Sequence, residues 1–215
     1  MVALKSDSSQ TKTRQQLLEA AGQVFAEFGY RSATVREICL RAGANIASIH
    51  YHFGDKEKLY IEVLRYAHRR EAALKPALFH ADESVPPEQR LQQFVHSILL
   101  QLLDPTSVNW DRKLIAREMV EPTIGLDVMM TDRIRPMSKH VRAIVREIIG
   151  PSATEEDIRE GEFSVVSNCV FYHHCRAVIS RLYPKLNLDK KEIECLAEHM
   201  TEFLVAGLQA RADKK

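Results

Sequence analysis

Apolar side chains recur at helical spacing along almost the whole chain, and no stretch alternates apolar and polar positions as a half-buried strand would. Leu17, Leu18, Ala21, Val24, Phe25 and Phe28 form one stripe, predicting a helix over 11–28 that Gly29 stops. Val35, Ile38, Cys39 and Ala42 predict a short second helix, and Ile46 and Ile49 start a third that ends near His52. Leu59, Tyr60, Val63, Leu64 and Ala67 give a fourth, from Lys56 to about Leu74, ended or kinked by Pro76. Further on, Ser84-Val85-Pro86-Pro87 opens a helix to about Leu103, closed by Asp104-Pro105. Others run from about Val108 to Val120, from Thr123 to Ile149 with a bend at Pro136, from Thr154 to about Leu182, and from Asp189 to about Ala210. The pattern predicts an all-α protein of about nine helices. Residues 1–10 are polar and serine-rich and read as a disordered arm, 11–56 as a three-helix unit, and 57–215 as a larger helical bundle.

Within the first unit, Thr34 to Phe53 reads as two short helices around a tight turn. Thr34 with Glu37 fits a capping box. Gly43 supplies the positive φ wanted just past a helix end, and Asn45 fits a second N-cap. Helix, turn and helix at this spacing make the unit that sets a helix into a DNA major groove.

Composition changes this picture little. The chain has 215 residues, 45% hydrophobic and 27% charged, as in an ordinary globular protein. There is no apolar run long enough to span a membrane and no apolar leader in the first residues, so a cytoplasmic protein is expected. Cys39, Cys169, Cys175 and Cys195 form no C-x-x-C pair, which argues against a disulfide framework. The net charge is only +1, so charge alone does not announce nucleic acid. Lys5, Lys12 and Arg14 could reach phosphates or could simply be solvated.

The residues from Leu17 to Tyr60 resemble the TetR/AcrR family of transcriptional regulators. The resemblance is carried by the A-A-x-x-x-F-A-E-F-G-Y of Ala20 to Tyr30, by Ala33 to Ile38, by Arg41-Ala42-Gly43, and by Ile49 to Leu59. The form N-I-A-x-I-x-Y-H-F-G-x-K-E-x-L-Y from Asn45 is similar to the CecR-like subclass, as is Ile115-Ala116-Arg117-Glu118 followed by Pro122-Thr123. The sequence departs from the family at His50, where an aromatic is usual. The resemblance implies a homodimer with an N-terminal DNA-binding domain and a C-terminal domain that dimerises and binds a small-molecule effector. It also implies that the last two long helices form an intersubunit four-helix bundle.

By position, the exposed face of the third helix should present Ala44, Asn45, Ser48, His50, Tyr51 and His52 to a palindromic operator. Thr34 stands at a helix N-terminus, where N–H groups favour a phosphate, and Lys56 adds a point charge. For the effector the candidates are Trp110, Arg117, Met130, Met137, Tyr172 and Arg176. Met119, Met129, Phe163 and Phe171 belong to the same apolar set, which reads equally as plain core. Arg117 and Glu118 fit an ion pair, a ligand anchor or a solvated face. Cys169 and His173 share a helix face, but two further metal ligands are missing, so neither a metal nor another cofactor is expected. No nucleophile elbow, phosphate loop or H-E-x-x-H motif is present, so an enzyme is not expected. The reading is a repressor released from its operator by an effector. A redox- or metal-responsive regulator on the same scaffold is the alternative.

Overall fold

The structure is a computed structural model that describes residues 3–74, 78–79, 82–103 and 109–212, the side chains of 3–9 and 212 excepted. Among these residues every regular element is helical: α1 (Ala3–Ser32), α2 (Val35–Ala42), α3 (Ile46–Phe53), α4 (Lys56–Leu74), α5 (Pro87–Leu103), α6 (Trp110–Val120), α7 (Gly125–Met129), a π turn (Met130–Ile134), α8 (Arg135–Ile149), α9 (Glu155–His174), α10 (Arg176–Leu182) and α11 (Lys190–Ala212). Among the described residues no helix is long and apolar enough to cross a membrane.

Four expectations need correction. The arm expected to be unstructured is helical from Ala3, because nothing between Ala3 and Gln10 (no Pro, no Gly) interrupts a helix nucleated further along. Gly29 kinks α1 (φ 76°, ψ 166°), but helical backbone resumes to Ser32. The helix expected over 123–149 is interrupted by the π turn. Pro136 cannot donate to Asp132, and the strain is taken up in the turn just before it. The helix expected to reach Leu182 breaks at Cys175 (φ −91°, ψ 11°) into α9 and α10. The stops expected at Pro76 and Asp104-Pro105, and the helix start at Val108, lie outside the described residues.

The chain packs as two compact units, Met1–Ala73 with Val108–Ile134, and Leu74–Ser107 with Arg135–Lys215. Packing thus divides the chain differently from the functional division expected at residue 56: α4, α6 and α7 pack with the first three helices. In the N-terminal unit Leu17, Leu18, Ala21, Val24 and Phe25 of α1 are buried with Ile38, Ile49, Phe53, Leu59, Tyr60, Val63, Leu64, Leu114 and Met129. Trp110 locks α6 to α1: its indole lies over Gly22, where a Cβ would fall 2.4 Å from the ring. In the C-terminal unit, α5, α8, α9 and α11 bury one aliphatic core that includes Leu91, Phe94, Ile98, Val141, Ile144, Val145, Val165, Met200, Leu204 and Leu208. Gly161 brings α9 close to Val145 and Leu208 (2.6 and 2.8 Å from an added Cβ).

Candidate nucleic-acid interface

The helix-turn-helix is built from its caps. Thr34 Oγ1 accepts from the Glu37 N–H at 3.1 Å and starts α2. The return half of the expected capping box is not the bond Glu37 makes: its carboxylate pairs with Arg41, one turn on, at 3.4 Å. Gly43 ends α2 in the left-handed region (φ 63°), where an L side chain would be strained. Asn45 Oδ1 then accepts from the Ser48 N–H at 2.9 Å and lies 3.2 Å from its hydroxyl. Gly54 (φ 88°) closes α3, and Asp55 Oδ1 accepts from the Lys58 N–H at 2.8 Å to start α4. That backbone donor holds the Asp55 carboxyl below the usual carboxylate range.

These caps sort α3 into two faces. Ile49 and Phe53 are buried, while Asn45, His50 and Tyr51 are exposed. Ser48, His52 and Ala44 are half-buried, Ala44 packing against the core. Tyr51 is 71% exposed and meets His52 edge-on at 4.9 Å. His50 Nδ1 lies 2.7 Å from the Gly54 carbonyl. A carbonyl only accepts, so Nδ1 carries the proton, and in the neutral ring Nε2 is left as an acceptor. Thr34 is exposed at the start of α2, and so is Arg36, two residues on. Reading α3 alone misses Arg36, although it stands within the family motif.

Two basic residues are more engaged than the sequence suggested. Lys56 Nζ donates to the Arg31 carbonyl at 3.2 Å and lies 4.8 Å from the centre of the Tyr30 ring. Burial lowers its pKa. It therefore ties α4 to the end of α1 before any phosphate is present. Arg14 pairs with Glu62 at 2.8 Å and lies over the Phe53 ring at 5.1 Å, joining α1, α3 and α4.

Glu118, set beside Arg117 as half of an undecided pair, turns out to be the buried hub of this unit, only 1% exposed. Tyr60 Oη donates to its Oε2 at 2.5 Å. The Thr123 N–H donates to Oε1 at 2.7 Å, and the Thr123 hydroxyl lies 2.9 and 3.0 Å from the two oxygens. Burial and this carboxylate raise the Tyr60 phenol far above its ordinary pKa. Hydrogen bonds to a charged group contribute roughly 1.5–3 kcal/mol each. An added Cβ at Gly125 would sit 2.4 Å from Leu64 and 3.1 Å from the Glu118 carboxyl. Arg117 turns the other way, to the Glu27 carbonyl and the Glu121 carboxylate, each at 3.3 Å. The solvated-face reading fails for Glu118, and the two do not pair with each other.

The six effector candidates fall on both units. Trp110 donates Nε1–H to Glu19 at 2.8 Å and stacks on Tyr66, so its surface is taken up by α1 and α4. Arg117 and Met130 are half-buried in the same unit. Met137 and Tyr172 pack half-buried against the C-terminal core, and Arg176 is exposed. Met129 is core, whereas Met119, Phe163 and Phe171 are more than half exposed. Among the described residues no group of three or more His, Cys, Asp or Glu is placed to hold a metal. Cys169 is fully buried, its sulfur 3.7 Å from that of Met200, and burial pushes its thiol up to about 12. His173 Nδ1 lies 3.1 Å from the Leu102 carbonyl.

Residues 17–63 match the N-terminal domain of bacterial regulatory proteins of the tetR family, and residues 87–210 match the C-terminal domain of the HTH-type transcriptional dual regulator CecR. The chain is 32% identical to CecR of Shigella flexneri over 94% of its own length and 95% of that protein. It is 29% identical to the transcriptional repressor NicS of Pseudomonas putida, covering 88% of each. Its fold is similar to that of AibR, solved in complex with isovaleryl coenzyme A and operator DNA (TM-score 0.63, 15% identity, 90% of this chain and 98% of that one). Capped helices around a glycine turn, with one face of α3 buried and the other open, are what such regulators present to DNA, and this chain belongs to the TetR family of DNA-binding transcriptional regulators, with a C-terminal domain of the CecR kind.

Proposed function

We propose that the chain acts as a homodimeric repressor that leaves a palindromic operator when a small molecule binds its C-terminal region. The observation that carries this is the two-faced α3: Ile49 and Phe53 fix it to the core while Asn45, His50 and Tyr51 stay open. In this reading Asn45, Ser48, His50 and His52 work at base edges and sugars, and Tyr51, Thr34 and Lys56 at phosphates. Ala44 allows close approach of the turn. Lys56 has donors beyond the one given to Arg31, so it can serve both partners.

Dimerisation is supported by the side chains left open in the C-terminal unit. Phe163 and Phe171 stand on one face of α9 at i and i+8, and Phe203 on α11 is 69% exposed. A second copy covering these faces would form the four-helix bundle and set the two α3 helices about 34–36 Å apart, one turn of DNA. NicS is a repressor, and AibR was solved with both a coenzyme A thioester and operator DNA. A repressor relative and a structural neighbour that takes both operator DNA and a small ligand support a ligand-responsive repressor here. Met137 and Tyr172, half-buried against the C-terminal core, are the candidates retained for contact with it. The effector must bind the DNA-free conformation more tightly, since equal affinity shifts nothing. Regulation, not catalysis, in the cytoplasm completes the reading.

The test is fluorescence anisotropy on palindromes taken from the DNA flanking the gene. Binding should be saturable and weaken steeply with salt, log K falling by about 0.9 per phosphate neutralised for each log unit of salt. Tyr51→Ala should weaken it by about tenfold, or roughly 1.4 kcal/mol. Absence of any preferred palindrome, or a Tyr51→Ala variant indistinguishable from the parent, would refute the assignment.

A further inference from the structure

A cavity of about 360 Å³ lies wholly within the N-terminal unit, between the last turns of α1 and the connection from α6 to α7. It is at the small end of the range for ligand pockets, roughly 300–1,000 Å³. Phe28 and Tyr30 supply its aromatic lining, Glu118 and Thr123 one wall, and Glu121 its rim. Tyr60 and Thr123 hold the Glu118 carboxyl in place, so its oxygens are a fixed feature of the wall.

The chain itself shows what this space selects. The guanidinium of Arg117 sits over Gly29, where a Cβ would fall 2.8 Å from its Nε. It donates to the Glu27 carbonyl near the end of α1, the negative pole of that helix, and pairs with Glu121. Both bonds are 3.3 Å long, and the two side chains are 36% and 68% exposed. An ion pair of that kind is weak and easily exchanged. Arg31, exposed at the rim, is the like-charged neighbour, and Lys56 lies over Tyr30. The surroundings therefore hold one planar cation and repel a second.

We propose that this cavity is a binding site for a compact organic monocation, an amidinium, guanidinium or protonated amine on a small apolar body, which enters by displacing Arg117. The cation would take over the Glu27 carbonyl and Glu121, and its apolar part would lie against Phe28 and Tyr30. Arg117 would then release the end of α1, loosening the hold of α6 on the DNA-binding helices. This site lies in the DNA-binding unit and does not depend on an effector in the C-terminal domain.

Benzamidine is a suitable probe, and benzoate, of the same shape and opposite charge, is its control. Isothermal titration of the full-length protein should show saturable millimolar binding of benzamidine and none of benzoate. Trp110 is the single tryptophan and packs α6 on α1, so its emission should change along the same isotherm. Arg117→Ala vacates the cavity and should bind benzamidine about tenfold more tightly. Arg117→Lys, which keeps a cation there, should bind no more tightly than the parent. Glu121→Gln, at the exposed rim, should bind at least threefold more weakly. Benzoate binding as well as benzamidine, no saturation by the parent protein, or equal affinity in parent and Glu121→Gln would overturn the proposal, even if Arg117→Ala does not fold. Operator affinity measured without any cation is a separate readout, so failure here leaves the DNA-binding assignment untouched.

Discussion

In the N-terminal unit the seams between helices are stitched by directed bonds; in the C-terminal unit they are largely aliphatic. Glu19 alone accepts from Tyr66, Arg70 and Trp110, tying α1 to α4 and α6. Tyr60 and Glu118 join α4 to α6, and Arg133 of the π turn pairs with Glu71 of α4. Burial lowers the pKa of Arg133 to about 10, so it stays charged and keeps that partner at neutral pH. The C-terminal core, by contrast, joins mainly Leu, Ile, Val and Phe of four helices, with ion pairs such as Arg142–Glu155 at its edge and one buried cation, Arg90 of α5, paired with Glu147 of α8. A directed bond has one good geometry, whereas aliphatic seams tolerate repacking. The difference suits a unit that must hold a fixed register on DNA and, under the proposed function, another that would accommodate a ligand and a second copy of itself.

The largest expected effect breaks the C-terminal half of this contrast. If the open aromatics of α9 and α11 await a second copy, Phe203→Glu places a charge in that interface. Sedimentation at micromolar protein should then show a monomer, and operator affinity should fall by roughly 100-fold or more as the second half-site is lost. A variant that stays dimeric with full affinity would mean that the bundle is assembled elsewhere.

Packing tolerance comes next. Gly22→Ala drives a methyl into the flat face of the Trp110 ring, which Glu19 and Tyr66 hold in place. Gly161→Ala meets the ends of Val145 and Leu208, of which the leucine can rotate aside while the β-branched valine must shift slightly. The first should lower stability by about 3 kcal/mol and the second by about 1 kcal/mol, read from urea unfolding. Equal losses would show that the two units do not differ in rigidity.

What the sequence conveyed follows the same division. The caps at Thr34, Asn45 and Asp55 and the turn at Gly43 are local: each forms between residues a few positions apart, so spacing alone announces them. The open face of α3 could be read for the same reason. The Glu118 hub joins residues 58 positions apart, and Lys56 reaches back 25 to Arg31, so no window along the chain displays either. Trp110 looked like cavity lining because nothing in its own helix reveals that α1 offers a glycine opposite it. The break at Cys175 carries neither glycine nor proline, and the hydrophobic pattern continues through it. The aromatics at 163 and 171 read as core or cavity because periodicity shows which residues share a face, and does not show whether that face is covered within one chain.

The smallest effect probes the directed bonding through pH. His68, on α4 in the N-terminal unit, lies among Arg133, Asp132 and Arg69. Burial first, then the positive charge of Arg133, pushes its imidazole below its ordinary value, against a smaller opposing pull from Asp132. The folded protein therefore resists a proton that the unfolded chain accepts near pH 6.5. Stability tied to His68 is fully present above that pH, and falls as pH drops from about 6.5 toward the lower folded value. Melting curves between pH 7.5 and 5.5 should show a loss in Tm of about 2 °C that His68→Gln removes, because glutamine takes no proton. If parent and variant decline in parallel, the acid sensitivity belongs to other groups, and His68 is not part of what fixes the N-terminal unit.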